Sequence, residues 1–249
     1  MPSDIPEHNQ VILAENLKTS KHLEEISEWT KKKKMQLNVK KTKSMIFNFS
    51  KKNQFTTKLS VNNVELEIVK EAKLLGTIIT SDLKWNKNTK VIVKKAFGRM
   101  QLLFKSANFT KNRSDLRSIY LTFIRSILEQ SAVVWHSSLT KKNRRDLERV
   151  QRCAVRVIMG EKYENYKHGL QSLRLETLEK RREILCLSFA KKCIKNDKVK
   201  SLFPRNSSKH KMKKRNKRKI FKPVKSSIPY MVNLLNEEYG KKNFHLEDL

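Results

Sequence analysis

Three groups of basic side chains stand out by type and spacing. In "QLNVKKTKSMIF", residues 36–47, Lys40, Lys41 and Lys43 surround Thr42, between an apolar anchor and a run that alternates like a β-strand. Arg145, Arg149, Arg152 and Arg156 recur at steps of four, three and four, which at about 100° per residue gathers them on one helical face. "KHKMKKRNKRK" at 209–219 holds Lys213, Lys214, Arg215, Lys217, Arg218 and Lys219. The chemistry open to such groups is neutralisation of anions: an ammonium is a compact point charge, and a guanidinium forks two hydrogen bonds onto a phosphate. The six histidines are scattered, and Cys153, Cys186 and Cys193 lack the spacing of a zinc pair, so no metal site or cofactor is expected of this chain and the thiols read as reduced core residues. With five glycines there is also no phosphate loop or nucleophile elbow, which argues against an intact enzyme of another kind.

The elements that must position these groups follow from periodicity. Leu23, Ile26 and Trp29 at three-residue steps, with Glu28 four residues before Lys32, predict a helix over 16–35 that delivers the chain to the lysine elbow. Met45, Phe47 and Phe49 alternate with Ser44, Ile46 and Asn48 and predict a strand; "LSVNNVELEI" predicts a hairpin turning at Asn62-Asn63, because Asn tolerates positive φ. "KLLGTIIT" at 73–80 reads as one further strand, with Gly76 marking a bulge or a close approach.

No proline falls between Pro6 and Pro204, and helices are expected over 88–107, from an N-cap at Ser114 and Asp115 onward, and from Thr140 to Gly160. A further helix in "LETLEKRREILCLSFAKKCI" should turn Leu178, Leu185 and Phe189 inward. In the third of these helices Leu147, Val150, Ala154, Val157 and Ile158 oppose the arginines. The stripe then reads either as a track for a nucleic-acid backbone or as a solvated face neutralised by Asp146–Arg149 and Glu148–Arg152 pairs. The expected class is α+β: mainly α-helical, with a small antiparallel β portion over 1–81, a helical portion over 82–200, and a basic, partly disordered tail over 201–249 carrying a short helix near 228–239.

Lys and Arg total 56 against 24 Asp and Glu, a formal net charge of +32 that repels itself unless a polyanion neutralises it. RNA or DNA, contacted through the backbone, is therefore the leading partner. The basic block alone would equally suit RNA, anionic lipid or an import receptor. No apolar run approaches the length of a membrane span and the N-terminus has no signal-peptide core, so an intracellular chain is expected, in the nucleus, the cytoplasm or both, with no membrane partner and no small-molecule substrate.

"QLNVKKTKSMIF", "KLLGTIITSDLKW", "FIRSILEQSAVVW" and "LERVQRCAVRVIMG" stand in an order and spacing that resemble the reverse transcriptases of non-LTR retrotransposons of the jockey-like type. The resemblance continues through "LRLETLEKRREILCLSFAKK" into "SSIPYMVNLLN" and so covers nearly the whole chain. It implies that residues 1–81 are the end of a palm and 82–200 a thumb-like bundle, in an RNA-directed DNA polymerase. It also implies that Lys41 would neutralise or protonate the pyrophosphate leaving group in a complete polymerase, and that Leu74, Leu75 and Gly76 belong to a segment gripping the primer end. The family has an aromatic residue where Leu74 stands, which loosens the second inference.

The larger departure is the metal site. Such polymerases hold two Mg²⁺ on an aromatic-X-Asp-Asp motif and a further Asp, and this sequence contains no Asp-Asp pair. The resemblance places that motif upstream of Met1. The expectation is a truncated reverse-transcriptase fragment that binds nucleic-acid backbone without catalysing polymerisation alone, with Mg²⁺ relevant only if the missing polymerase half is supplied. The alternative is a non-enzymatic basic nucleic-acid-binding accessory protein. Palm strands without their sheet partners would leave exposed edges.

Overall fold

The computed structural model describes residues 7–47, 58–201 and 227–238, divided between Lys84 and Trp85 into two units. In the first unit, helix α1 (Glu7–Lys32) begins well before the expected start. It ends where Lys34 takes a left-handed backbone (φ 55°), with Lys34 N bonded to Lys31 O and Met35 N to Thr30 O, a Schellman closure that satisfies the last carbonyls. The face it buries is not the apolar one. Ser27 and Thr30 are buried, Ser27 donates to Asn62 at 3.3 Å, and Ile26 and Trp29 stay exposed. The anticipated Glu28–Lys32 pair is not formed within 4.0 Å.

Strand β1 (Lys43–Ser44) is only two residues long and pairs in parallel with β4 (Glu67–Ile68), at Lys43↔Glu67 and Ser44↔Ile68. This corrects the longer strand read from the Met45/Phe47/Phe49 alternation: Phe47 is exposed, and Phe49 lies outside the described residues. It also adds one parallel ladder to an otherwise antiparallel set. The Asn62-Asn63 hairpin forms as anticipated between β2 (Ser60–Val61) and β3 (Val64–Glu65), both asparagines having positive φ, the geometry that matches strand twist. "KLLGTIIT" is not one strand. It folds back at Leu75-Gly76 (φ 47° and 85°), so that β5 (Glu71–Leu74) pairs antiparallel with β6 (Thr77–Thr80).

The second unit is helical. Helix α2 (Asn86–Phe109) buries Ile92, Ala96, Met100 and Leu103, and leaves Leu102 exposed. The next helix is capped by Asn112, whose side chain accepts from Ser114 N at 3.0 Å, two residues before the cap position expected. It runs as α3 (Arg113–Ile119), a π-helical segment (Tyr120–Arg125) and α4 (Ser126–Glu129). Leu116, Tyr120, Ile124 and Leu128 are buried at steps of four. In a regular α-helix that row drifts about 40° per step, and the wider π turn keeps it on the core. Phe123, which lies off that row, stays exposed.

Helix α5 (Ala132–Trp135) and a 3₁₀ turn (His136–Ser138) lead into α6 (Lys141–Met159), which packs on α2, and then into α7 (Tyr166–Ser172), α8 (Leu178–Ile194) and α9 (Asp197–Lys200). Helix α8 turns inward along Leu178, Arg182, Cys186, Ala190 and Ile194, a four-residue ridge suited to packing into a neighbour's groove. Phe189, inward by its sequence spacing, is 43% exposed. The chain then returns as α10 (Ser227–Glu238), which packs on α8 and α5 through Met231 and Leu235 rather than trailing as part of a tail.

A buried polar contact supports this docking. Arg182 Nε donates to His136 Nδ1 at 3.2 Å, which places the imidazole proton on Nε2, facing Tyr230 Oη at 3.3 Å. Arg182 also lies 5.8 Å from the ring centroid of Trp135, and both residues are fully buried. Burial, with the Arg182 and then the Arg144 guanidinium adding to it, holds the His136 pKa down at about 3, against 6.5 for a free imidazole. From pH 6.5 down to about 3 the unfolded chain therefore binds a proton that the folded chain does not, and stability falls as pH falls, by on the order of 1 kcal/mol per pH unit. Urea unfolding between pH 7 and pH 4.5 should show this slope, and His136→Gln should flatten it.

Candidate nucleic-acid interface

Helix α6 is built to be two-faced. Thr140 caps it by accepting from Asn143 N at 3.2 Å, Asn143 Nδ2 donates to Asn86 Oδ1 at 2.8 Å to fix its first turn on α2, and Gly160 at φ 55° ends it. Leu147, Val150, Ala154, Val155, Ile158 and Met159 are buried. Arg145, Arg149, Arg152 and Arg156 are carried on the other side of the helix, spread over about 16 Å at the α-helical rise of 1.5 Å per residue.

The acidic residues expected to neutralise the stripe do not do so. Glu148 turns inward: its Oε1 accepts from the Tyr166 hydroxyl and its Oε2 from Leu178 N at 3.0 Å, at the start of α8. Next to it Gln151, fully buried, accepts from Tyr120 Oη and donates through Nε2 to Tyr166 Oη and to Glu176 O, both at 2.9 Å. The donors of the Gln151 amide are thus both used, and its oxygen is engaged as well. Asp146 has no basic group within 4.0 Å, and neither Arg145 nor Arg149 has a carboxylate within that distance among the described residues.

Two arginines are held instead by aromatic faces. The Arg152 guanidinium sits 4.9 Å from the Tyr166 ring centroid and that of Arg156 sits 5.3 Å from the Tyr163 ring centroid. A guanidinium stacked on a ring keeps its charge and much of its hydrogen-bonding edge, so these contacts orient the cations without neutralising them. Tyr166 joins the two sides of the helix, its ring under Arg152 and its hydroxyl in the buried node. Burial, then the Glu148 carboxylate, pushes that hydroxyl's pKa far above its ordinary value, so it remains a neutral donor. The sequence reading missed Tyr163 and Tyr166. The available signal was Asn165, which caps α7 by accepting from His168 N at 2.9 Å and so fixes the turn that carries both rings.

The other sequence-derived residues fall as follows. Lys40 and Lys41 are exposed on a turn closed by Asn38, whose Oδ1 accepts from Lys41 N at 3.1 Å and whose backbone O accepts from Thr42 Oγ1 at 2.9 Å. Lys43 is paired with Glu67 across the β1/β4 ladder, so its charge is already matched. Leu74, Leu75 and Gly76 form the tip of the β5/β6 hairpin, where Leu75 is 88% exposed despite a left-handed backbone that costs a branched side chain about 1–2 kcal/mol. Lys213, Lys214, Arg215, Lys217, Arg218 and Lys219 lie outside the described residues. The lysine elbow belongs to the first unit and the arginine stripe to the second.

Cys153, Cys186 and Cys193 are free thiols. Among the described residues no three His, Cys, Asp or Glu side chains gather as a group that could hold a metal ion. Compared with models of known protein families, with curated proteins and with solved structures, the chain matches none.

The closeness of α7 to α6 rests on Gly169, where an added Cβ would collide with Val155 Cγ1, a short branched side chain with little room to yield. Gly169→Ala should therefore destabilise the helical unit by about 1–3 kcal/mol in urea unfolding, and Val155→Ala in the same chain should recover part of the loss.

Proposed function

We propose that this chain binds the sugar-phosphate backbone of nucleic acid through the arginine-bearing face of α6, and that it corresponds to the end of the palm and the thumb of a non-LTR retrotransposon reverse transcriptase and does not polymerise by itself. The observation that carries the binding reading is the stripe Arg145, Arg149, Arg152 and Arg156, which neither acid of the helix pairs with: Glu148 is spent on Tyr166 and Leu178, and Asp146 has no basic group within 4.0 Å among the described residues. Uncompensated guanidiniums on a rigid, well-packed helix favour a polyanion, and contacts to phosphate position a partner without reading its sequence. Two of the four are pre-oriented by tyrosines, which lowers the ordering cost on binding.

The lineage reading rests on the ordered motifs. It is supported by the Leu75-Gly76 hairpin, which presents the segment likened to a primer grip as an exposed tip. The absence of polymerase activity rests on the sequence having no Asp-Asp pair, since lysines do not replace metal stabilisation of phosphoryl transfer. Among the described residues no helix is long and apolar enough to cross a bilayer.

Binding to a fluorescent duplex measured against salt tests the interface. Replacing Arg145, Arg149, Arg152 and Arg156 by Ala should reduce the steepness of log K against log salt by about 3.6 if each neutralises one phosphate, at roughly 0.9 for each phosphate no longer neutralised. An unchanged slope overturns the α6 interface. Primer extension on an RNA template with Mg²⁺ should give no incorporation above background, and incorporation abolished by a chelator overturns the inactive reading.

A further inference from the structure

A second cationic feature of the helical unit lies outside the α6 stripe. Between the first turn of α3 and the end of α7 opens a cleft of about 350 Å³ lined by Arg113, Ser114, Arg117, Ser172, Leu173 and Arg174. None of its three guanidiniums has a carboxylate within 4.0 Å among the described residues. Arg117 Nε donates to Leu173 O at 2.7 Å, which pins the side chain across the cleft and leaves its terminal nitrogens without a protein acceptor among the described residues. Arg113 has only a weak contact, Nη1 to Met159 Sδ at 3.9 Å.

Arg174 is the most telling of the three. Helix α7 ends in a Schellman closure, with Arg174 N bonded to Gln171 O and Leu175 N to Leu170 O, and Leu170 and Leu175 both buried. Arg174 occupies the left-handed position of that motif, at φ 49°, where glycine is usual and any side chain with a Cβ costs about 1–2 kcal/mol. A long cation is thus held, against backbone preference, at the rim of a cleft already containing two others.

Three positive charges and the Ser114 hydroxyl, with that of Ser172 already shared with His168 Nε2 at 3.2 Å, exceed what one internal phosphodiester can use, since it offers one charge and two free oxygens. A phosphomonoester offers about −1.5 to −2 and three free oxygens, each able to take a guanidinium fork or a serine hydroxyl. Resting on the reading of α6 as a nucleic-acid interface, we infer that this cleft binds the terminal phosphate of a nucleic-acid strand.

The test titrates the full chain, by fluorescence anisotropy at fixed salt, with one oligonucleotide in three forms: 5′-phosphorylated, 3′-phosphorylated and unphosphorylated at both ends. One phosphorylated form should bind about tenfold or more tightly than the unphosphorylated strand, the scale of one or two charge-assisted hydrogen bonds. Arg174→Gly should abolish that advantage while leaving thermal stability unchanged or raised, because it relieves the left-handed strain; Arg113→Ala should weaken the advantage without touching the Schellman closure. Equal affinity for all three strands, or an advantage that survives both variants, overturns the terminal-phosphate site and leaves the α6 interface standing. The absence of salt-sensitive binding by any strand overturns both.

Discussion

The helical unit depends on one buried polar node, in which Gln151 and Glu148 of α6 take hydrogen bonds from or give them to Tyr120, Tyr166, Glu176 and Leu178. Four parts of the chain, from the π-helical segment to the start of α8, meet at two side chains one turn apart. Burying an amide and a carboxylate is costly unless their polar atoms find partners, and here both ends of the Gln151 amide are engaged. The node therefore fixes how α7 and α8 sit on α6 more specifically than apolar packing alone would.

The same node sets the electrostatics of the surface. A glutamate one turn before Arg152 would ordinarily soften an arginine stripe through an i,i+4 pair. Because Glu148 is drawn inward to Tyr166 and the backbone of α8, the stripe keeps its charge, and Tyr166 carries the link outward by placing its ring under Arg152. Core satisfaction and surface charge are two results of one choice of partner. The first unit has no comparable centre among its described residues: its ladders are two to four residues long, and much of its large apolar surface remains exposed.

The helices of the second unit were legible because their periodicity persists over several turns, and α6 was legible in both faces because arginine and aliphatic residues segregate cleanly there. What the sequence did not disclose was competition. In sequence Glu148 was paired with Arg152, and tertiary contact with Tyr166 and Leu178 prevailed. In α1 the three-residue apolar steps suggested a core face, yet Ser27 and Thr30 are the buried positions. In α8 the inward ridge runs through Arg182, a residue that sequence patterns assign to solvent; inside, its Nε donates to His136 and its guanidinium lies beside the Trp135 ring, while its two terminal nitrogens are buried without a hydrogen-bond partner among the described residues. "KLLGTIIT" looked continuous because Leu75 is an unusual residue for a left-handed turn; Asn62-Asn63 was readable because asparagine is a common one. The Arg113, Arg117 and Arg174 cleft joins residues some sixty positions apart and had no local signature.

The central claim is that the α6 arginines are free to engage phosphate because Glu148 is occupied by Tyr166 and Leu178 and Asp146 does not pair with them. Nuclear magnetic resonance of the arginine Nε–Hε groups, followed while a short duplex is added, tests this most directly. The account predicts that the resonances of Arg145, Arg149, Arg152 and Arg156 shift together and saturate with the duplex. Resonances that stay fixed at these four while others move would contradict it.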